Sequence, residues 1–384
     1  MRHTRSAVWV SLLAVAASCG GQAPPAPQSP PAPVEPVAST PPAPAPPPEP
    51  PSDAPPPKPS LQLQMQDAIK ALADAFDAHD PQKVAALYED GASATAYGTW
   101  EAHGRVELAA KLHEFFVAFA DAKSVTMRAW TKGNVVVQET AWAGTMTGDF
   151  MGHPATHDRV GQLRAEVLVF DSDGLVKEMR EYADDAGLVA QMTGAKDAPR
   201  PPLLPTNEAN VHVSVDMPED EKLAAFGQAG SDALAKGDVS TIVAALADDA
   251  DVWVSFGGKP ATRGKKALTK ALSVWEKAFP DQKWTTTASW VVGGFAIVES
   301  AMTGTQKGPL GTLRASNKLV ADWHWLTVIQ PTAGETVSHV WAHANLFEML
   351  RQTGGLLPSA KRPAPRKPSN MVPPATKGDG AKGT

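Results

Sequence analysis

The feature that most constrains the fold of this chain is an internal repeat. Residues 61–194 and 219–354 carry the same residue types at one constant offset. The matched pairs are Phe119 and Phe279, Asp121 and Asp281, Trp130 and Trp290, Glu139 and Glu299, Gly144 and Gly304, and Gly174 and Gly334. A fixed offset over such a span indicates two copies of one domain, each long enough to bury its own core.

Low-complexity segments border the two copies. Residues 20–60 are rich in proline and are expected to form a disordered linker, and residues 195–218 carry a second proline cluster. Residues 355–384 are basic and are expected to be a disordered tail. The net charge of −6 argues against a nucleic-acid partner.

The first 19 residues have the layout of a secretory signal. Arginines precede an apolar run that is too short to span a bilayer, and Cys19, the only cysteine, follows small residues. Residues 16–19 resemble the lipobox of bacterial lipoproteins, which implies that Cys19 carries the lipid anchor. Gly20 follows this cysteine in place of an aspartate, which resembles the signal that directs lipoproteins to the outer membrane. The protein would then face the periplasm. An ordinary secretory signal is the alternative.

Hydrophobic spacing within each copy predicts an α+β domain. In the first copy, helices are expected over residues 61–79, 81–87 and 105–120, with a last helical turn ending at residue 194. Strands are expected over residues 92–97, 123–131, 134–147, 160–171 and 175–183. This order predicts helices laid over an antiparallel sheet.

One glycine-rich stretch of the first copy carries a resemblance to a known family. It contains Gly144, Thr145, Gly148, Phe150, Gly152, Pro154 and Thr156 in the string GT-x-TG-x-F-x-G-x-P-x-T. The string resembles the SnoaL-like polyketide cyclase and ester cyclase branch of the nuclear transport factor 2-like superfamily. The resemblance implies two tandem cone-shaped domains, each a curved antiparallel sheet packed with helices around a pocket. The second copy keeps the frame but lacks the GxPxT residues.

The same stretch offers little support for a phosphate or metal site. No GK[ST] follows the glycines, so they are interpreted as residues of a pocket rim. His153 and His157 have the spacing of metal ligands on a helix, but Pro154 and the glycines disfavour a helix there. We therefore expect no metal and no cofactor.

Glu166 is the candidate for proton transfer. The family pattern has a histidine where this chain has Met146, which disfavours cyclase-type catalysis. Glu166 follows on the next strand, where the family often has an aspartate or a histidine, and burial raises the pKa of such a carboxyl. The alternative is a structural glutamate paired with Arg164 or Arg180. Leu326 is expected at the corresponding position of the second copy.

The remaining candidates are ligand-binding residues of the first copy. They are Tyr97, Trp142, Met146, Arg164, Tyr182 and Asp184. Aromatic rings with polar neighbours suit a lined pocket, although core packing is the alternative for each. The second copy concentrates tryptophan, which favours a fuller core or a contact between sheets over a sugar-stacking surface.

These features favour a cell-envelope lipoprotein with two tandem SnoaL-like domains that bind a small apolar molecule, with weak or no catalysis. The alternatives are a cyclase, isomerase or hydrolase acting through Glu166, and a structural or protein-binding module. Residues 135–137 and 295–298 are apolar at consecutive positions, which predicts that both faces of each sheet are buried. The two copies are therefore expected to form an intramolecular pseudo-dimer.

The lipobox generates the first testable prediction. Cys19→Ser removes the thiol that would be acylated, so the protein should move from the membrane fraction to the soluble fraction of fractionated cells. Several acyl chains on one residue anchor a protein stably, and nothing else in the sequence is expected to replace them. A Cys19→Ser variant that stays membrane-bound to the wild-type extent would show that the anchor is elsewhere.

Overall fold

The computed structural model describes residues 59–195, 198–204, 210–213, 221–255, 262–311, 313–332 and 336–355. All of these residues belong to one compact unit. Cys19, nearly all of the first proline-rich segment and the basic tail lie outside the described residues. Within the described part of the chain, no helix is long and apolar enough to cross a membrane.

The first domain contains four helices and six strands. They are α1 (Leu61–Asp77), α2 (Pro81–Ala86), β1 (Tyr88–Ala96), β2 (Trp100–His103), α3 (Gly104–Ala118), β3 (Lys123–Lys132), β4 (Val135–Thr145), β5 (Arg159–Phe170), β6 (Val176–Ala183) and α4 (Asp185–Met192). Local signals set the first boundaries, since the Ser60 and Asp80 side chains cap α1 and α2. The short strand β2 was missed by the sequence analysis.

The segment between the domains contributes a further strand, β7 (Asn210–Val213). It extends the first sheet, whose order is β2-β1-β6-β5-β4-β3-β7. The sheet is not purely antiparallel as expected, because β1 runs parallel to β6 and β3 parallel to β7. The strands of each parallel pair are not sequence neighbours, so no hairpin turn fixes their direction.

The second domain repeats this plan. Its elements are α5 (Glu221–Lys236), α6 (Val239–Ala245), β8 (Leu246–Val254), β9 (Thr262–Arg263), α7 (Lys265–Ala278), β10 (Lys283–Val292), β11 (Phe295–Thr305), β12 (Leu319–Pro331), β13 (Val337–Ala344) and α8 (Leu346–Thr353). Its sheet order is β10-β11-β12-β13-β8-β9, again with one parallel pair, β13 and β8. Both domains are therefore α+β, with open sheets covered by helices.

Strand register corrects one residue match that the sequence repeat had indicated. Ala165 lies opposite Glu139 in the β4–β5 pairing, and Leu326 lies opposite the matching glutamate of β11. Leu326 is therefore the counterpart of Ala165, and Thr327 is the counterpart of Glu166. The constant offset failed here because β12 takes up one extra residue at an irregularity in its pairing with β11.

The sheets are apolar on both faces. One face of each sheet packs against the helices of its own domain. The opposite faces share a single cluster made of Trp130, Val137, Ala165, Val167 and Tyr182 from the first domain, and Val292, Phe295, Ile297, Leu326 and Val328 from the second. This second buried face explains why the strands carry apolar residues at consecutive positions.

Two charged groups interrupt this apolar contact, and the first is Glu139 of β4, which is 5% exposed. It pairs with Arg128 of β3, and Nε2 of His343 from the second domain lies 2.8 Å from its Oε1. The Arg128 guanidinium also lies 3.7 Å from the ring centre of Trp341. Burial alone would raise the pKa of Glu139, but the His343 hydrogen bond and Arg128 hold it below its usual value.

The second charged group is Glu299 of β11, which is 2% exposed and is bound by the first domain. Arg180 donates to its two carboxylate oxygens over 2.8 and 2.7 Å, and the Tyr182 hydroxyl donates over 2.6 Å. The strand registers make Tyr182 the counterpart of His343. The two glutamates therefore occupy equivalent places on the two sheets.

The contact around Glu299 generates a stability prediction. Arg180→Met should lower the free energy of unfolding by about 3 kcal/mol, because it leaves a buried carboxylate without its cation. Arg263→Met is the matched control, since Arg263 makes a two-point contact with Asp251 but its side chain is 76% exposed. That variant should lose less than about 1 kcal/mol. Urea unfolding at neutral pH measures both values, and equal losses would contradict the importance of the buried pair.

Candidate functional site

A row of buried polar side chains crosses the helix-facing side of the first sheet. Gln138 on β4, Glu166 on β5 and Glu181 on β6 are neighbours in the strand register. Side chains alternate along a strand, so these three share a face with Val136 and Leu168, which pack against α1. Each of the three polar residues is buried, so the row lies in the interior of the first domain.

Arg164 is the cation of this row. Its Nη1 lies 3.2 Å from Oε2 of Glu181, and its Nε lies 3.4 Å from Oε1 of Glu166 and donates to the Thr140 hydroxyl over 2.9 Å. Gln138 donates to the other oxygen of Glu166 over 2.6 Å. One guanidinium therefore lies between two carboxylates on adjacent strands.

A third carboxylate, Asp185 at the start of α4, lies beside this row and is buried. Its Oδ1 accepts from Gln162 over 3.1 Å, and its Oδ2 accepts from Asn345 of the second domain over 2.7 Å. Burial raises the pKa of Asp185, and the hydrogen bonds from Gln162, Thr99 and Asn345 oppose that rise. The Arg164 guanidinium thus lies among three buried acids and is attracted by each of them.

Within the row, the carboxyl of Glu181 has a strongly raised pKa. Burial raises the pKa of its carboxyl from 4.5 to about 7; the Arg164 charge opposes this rise, and the carboxylates of Glu166 and Asp185 add to it. Like charges placed directly opposite on neighbouring strands repel, which favours a shared proton. Burial also raises the pKa of the nearby Tyr88 hydroxyl well above its usual value.

Side chains close this site in the structure. The Arg164 side chain is 16% exposed and that of Glu166 is 9% exposed. The Arg164 guanidinium lies 5.5 Å from the ring centre of Phe76. Two cavities among the described residues lie in the second domain, one of about 610 Å³ at the start of α7 and one of about 70 Å³ beneath α5. The charged side chains of the row are therefore largely shielded from solvent in this structure.

The structure places Tyr97 and Tyr182, two of the predicted ligand-binding residues, against the second domain. The ring of Tyr97 stacks on His324 with centroids 3.9 Å apart, and Tyr182 donates to Glu299. Period-two alternation puts Tyr182 on the opposite sheet face from Glu181. The side chains of these two tyrosines therefore do not belong to the polar row.

The other predicted residues lie on β4 and β5 or directly after β4 and β6. Trp142 and Met146 are fully buried in an aromatic cluster with Phe119, and Asp184 is buried at the residue that precedes α4. Arg164 and Glu166, by contrast, form the centre of the row. Within the described residues, no group of three or more histidine, cysteine or acidic side chains is arranged to hold a metal ion.

Sequence reasoning did not select Glu181, Gln138, Thr140 or Asp185. The signal for two of them was present, because Gln138 and Thr140 fall at alternate positions between Val136 and Trp142 on a face that is otherwise apolar. Glu181 becomes conspicuous only once β6 is known to lie in register with β5.

The second domain lacks this row. The strand registers place Trp325 at the position of Arg164, Thr327 at that of Glu166 and Ala342 at that of Glu181. Trp325 packs with Trp323 and two further tryptophans, with ring centroids 4.9 to 5.5 Å apart. The tryptophan-rich strand of the second copy therefore fills a core.

Comparison with protein families agrees with this architecture. Residues 66–192 match the family described as SnoaL-like polyketide cyclase, and residues 228–344 match the SnoaL-like domain family. The chain therefore carries two SnoaL-like domains in tandem, of the nuclear transport factor 2-like fold. No curated protein matches it.

Solved structures with a similar fold each cover about one domain. A protein of Jannaschia sp., provisionally assigned as a SnoaL-like polyketide cyclase, is 18% identical over 35% of this chain and 95% of its own, with a TM-score of 0.33. TsrD from Streptomyces laurentii is 19% identical over 36% of this chain and 100% of its own, with a TM-score of 0.32. An epoxide hydrolase of the LEH-like type from M. tuberculosis is 19% identical over 34% of this chain and 90% of its own, with a TM-score of 0.29.

The raised pKa of Glu181 generates a prediction about stability and pH. The folded state holds this proton up to about pH 7 and the unfolded state only to about 4.5, so folding stability from this group falls as the pH rises through that window. Glu181→Gln should remove this fall, which is of the order of 3 kcal/mol. The difference in unfolding free energy between variant and wild type should therefore grow from pH 4.5 to 7.

Glu178→Gln is the control for that measurement. Glu178 lies on the same strand, but its side chain is 43% exposed and pairs with Arg180. Its stability should follow the wild-type dependence on pH. If the Glu181→Gln curve ran parallel to the wild-type curve as well, Glu181 would not hold the proton.

Proposed function

We propose that the first domain binds a small, largely apolar molecule that carries a hydrogen-bonding oxygen. The polar row supplies its polar contacts, with Arg164 and Glu181 facing that oxygen, and the aromatic side chains around Phe76 and Phe115 supply the apolar wall. The ligand enters when the helices over the sheet open. The second domain serves as support.

The observation that carries this proposal is the difference between the two domains. Burying three carboxylates around one guanidinium costs free energy, because each charge loses its hydration. The second domain builds the same sheet and helices with Trp325, Thr327 and Ala342 at these positions. The fold therefore does not require the charges, which favours a functional role for them in the first domain.

The proton on Glu181 favours a second candidate function, general acid–base catalysis. A carboxyl with a pKa of about 7 is able to donate a proton to a carbonyl oxygen and to recover it at neutral pH. Glu166, bound by Arg164 and Gln138, would accept a proton from a neighbouring carbon or water. This division of labour suits a cyclase or an isomerase of the SnoaL-like type.

Anchoring at the cell envelope is a separate proposal. It rests on the signal-like first 19 residues and on Cys19, all of which lie outside the described residues. A lipid on Cys19 would leave about 40 residues of proline-rich chain between membrane and first domain, enough to reach on the order of 100 Å. The domains would then work in the periplasm at a distance from the outer membrane.

We also propose that the two domains remain paired in solution as a single-chain pseudo-dimer. The first domain supplies the two arginines that bind the buried glutamates, Arg128 and Arg180, and the matching positions of the second domain hold Ala288 and Trp341. Two second domains face to face would bury two glutamates without any arginine, and two first domains would bury four arginines against two glutamates. Of these three combinations, only the mixed pair balances these arginines against these glutamates, and Arg180→Met should weaken that pair.

Glu166→Gln tests the proposed function, because it keeps the shape of the side chain and removes its negative charge. Wild-type protein purified gently from its own cells should retain a small molecule in native mass spectrometry, and Glu166→Gln should retain less of it. If that molecule is a substrate, turnover should fall about 100-fold with loss of acid–base help.

Thr327→Val is the matched control, since it changes the same structural position in the second domain. It should leave retention and turnover at the wild-type level. Wild-type protein that retains no small molecule, or a Glu166→Gln variant that retains as much as wild type, would contradict a binding role for this row.

A further inference from the structure

Asn345 of the second domain reaches the polar row of the first domain. It is 1% exposed and precedes α8. Its Nδ2 donates to the Tyr97 carbonyl oxygen and to Oδ2 of Asp185, each over 2.7 Å. Asp185 therefore receives hydrogen bonds from Gln162 and Thr99 of its own domain and from Asn345 of the other domain.

The hydrogen bonds around Asn345 fix the orientation of its amide. Its Oδ1 accepts from the backbone N–H of Phe347 over 3.0 Å and so caps α8. Both protons of its Nδ2 then point at acceptors of the first domain. A flipped amide would face Asp185 with an oxygen and lose the cap, so only one orientation satisfies all four groups.

We propose that Asn345 is a positioning residue for the site of the first domain, which is complete only when the second domain is docked. This inference rests on the proposed function of the polar row. Asn345 acts through Asp185, by holding that carboxylate as a hydrogen-bond acceptor beside Arg164. The second domain would thus contribute to the site as well as cover the sheet.

The groups around Asp185 explain why one neutral donor matters there. Arg164, Glu166 and Glu181 face the same interior from β5 and β6, so an ionised Asp185 attracts the guanidinium and opposes a charge on Glu181. Removing the Asn345 donor destabilises the ionised form of Asp185 relative to the protonated form. Asp185 would then take a proton more readily, and Glu181 would lose one more readily.

The corresponding residue of the first domain shows that this role is specific to the second. Asp184 precedes α4 as Asn345 precedes α8. If another first domain docked in place of the second, an aspartate would face Asp185 and bring a second carboxylate where an amide donates now. The amide at residue 345 is therefore suited to this neighbour, whereas the aspartate at residue 184 is not.

The experiment follows the titration of Asp185 and Glu181 by carbon NMR of side-chain carboxyl groups in the whole chain. Asn345→Ser keeps a helix-capping oxygen but removes the amide donor, and Asn345→Asp keeps the cap and the shape but adds a carboxylate. The Asp185 midpoint should rise from wild type to Asn345→Ser by about half a pH unit or more, and further in Asn345→Asp. The Glu181 midpoint should fall in Asn345→Ser.

Asp238→Ser is the control, because Asp238 caps α6 of the second domain through Thr241. It changes a helix cap but should move neither midpoint. Unchanged Asp185 midpoints in both Asn345 variants, with Glu181 titrating near pH 7 in wild type, would overturn the role of Asn345 and leave the proposed function standing. A wild-type Glu181 that does not titrate near neutral pH would instead contradict the acid–base function proposed for the row, and retention of the small molecule would still test the binding function.

Discussion

The arrangement of the two domains depends on two glutamates buried between the sheets. Glu139 and Glu299 lie in an otherwise apolar contact, where an unpaired carboxylate costs several kcal/mol. Each finds partners across the contact, Glu139 in His343 and Glu299 in Arg180. Apolar side chains alone would tolerate many relative positions of two sheets, but these directional contacts tolerate one. The charged pairs therefore fix the register in which the sheets meet, and the apolar cluster around them supplies most of the burial.

The two domains share one fold but differ in the residues between sheet and helices. In the first domain, the positions that face the helices from β4, β5 and β6 hold a row of glutamates, an arginine and amides. In the second domain, Trp325 and its neighbours occupy the corresponding space with rings in contact. A filled aromatic core stabilises without any charge to desolvate, whereas the polar row keeps Glu181, a carboxyl whose pKa burial raises to about 7. The two copies of one domain thus differ inside, with a polar row in the first and a packed aromatic core in the second.

Much of the fold was predictable from the sequence because periodicity is a local property. Helices and strands were placed within a few residues of their observed bounds, and consecutive apolar residues such as those of β11 correctly indicated a second buried face. The parallel β1–β6 pair, the bulge of β12 and the pairing of Glu166 with Glu181 are long-range features of register. A residue offset carried through the repeat cannot detect a bulge, so it assigned Leu326 to the wrong face. The candidate site was therefore half predicted, through Arg164 and Glu166, while Glu181 and Asp185 required the structure.

Strand β6 connects the domain contact to the site. Its alternate residues point to opposite faces, so that Arg180 and Tyr182 bind Glu299 while Glu181, between them, faces Arg164. A displacement of the second domain that pulled on Arg180 would move the backbone that carries Glu181. The helix after β6 begins with Asp185, which Asn345 holds from the second domain. The second domain therefore contacts the end of β6 through Glu299 and the start of α4 through Asn345. Through these two contacts, docking of the second domain would influence the protonation of Glu181 and Asp185 in the first domain.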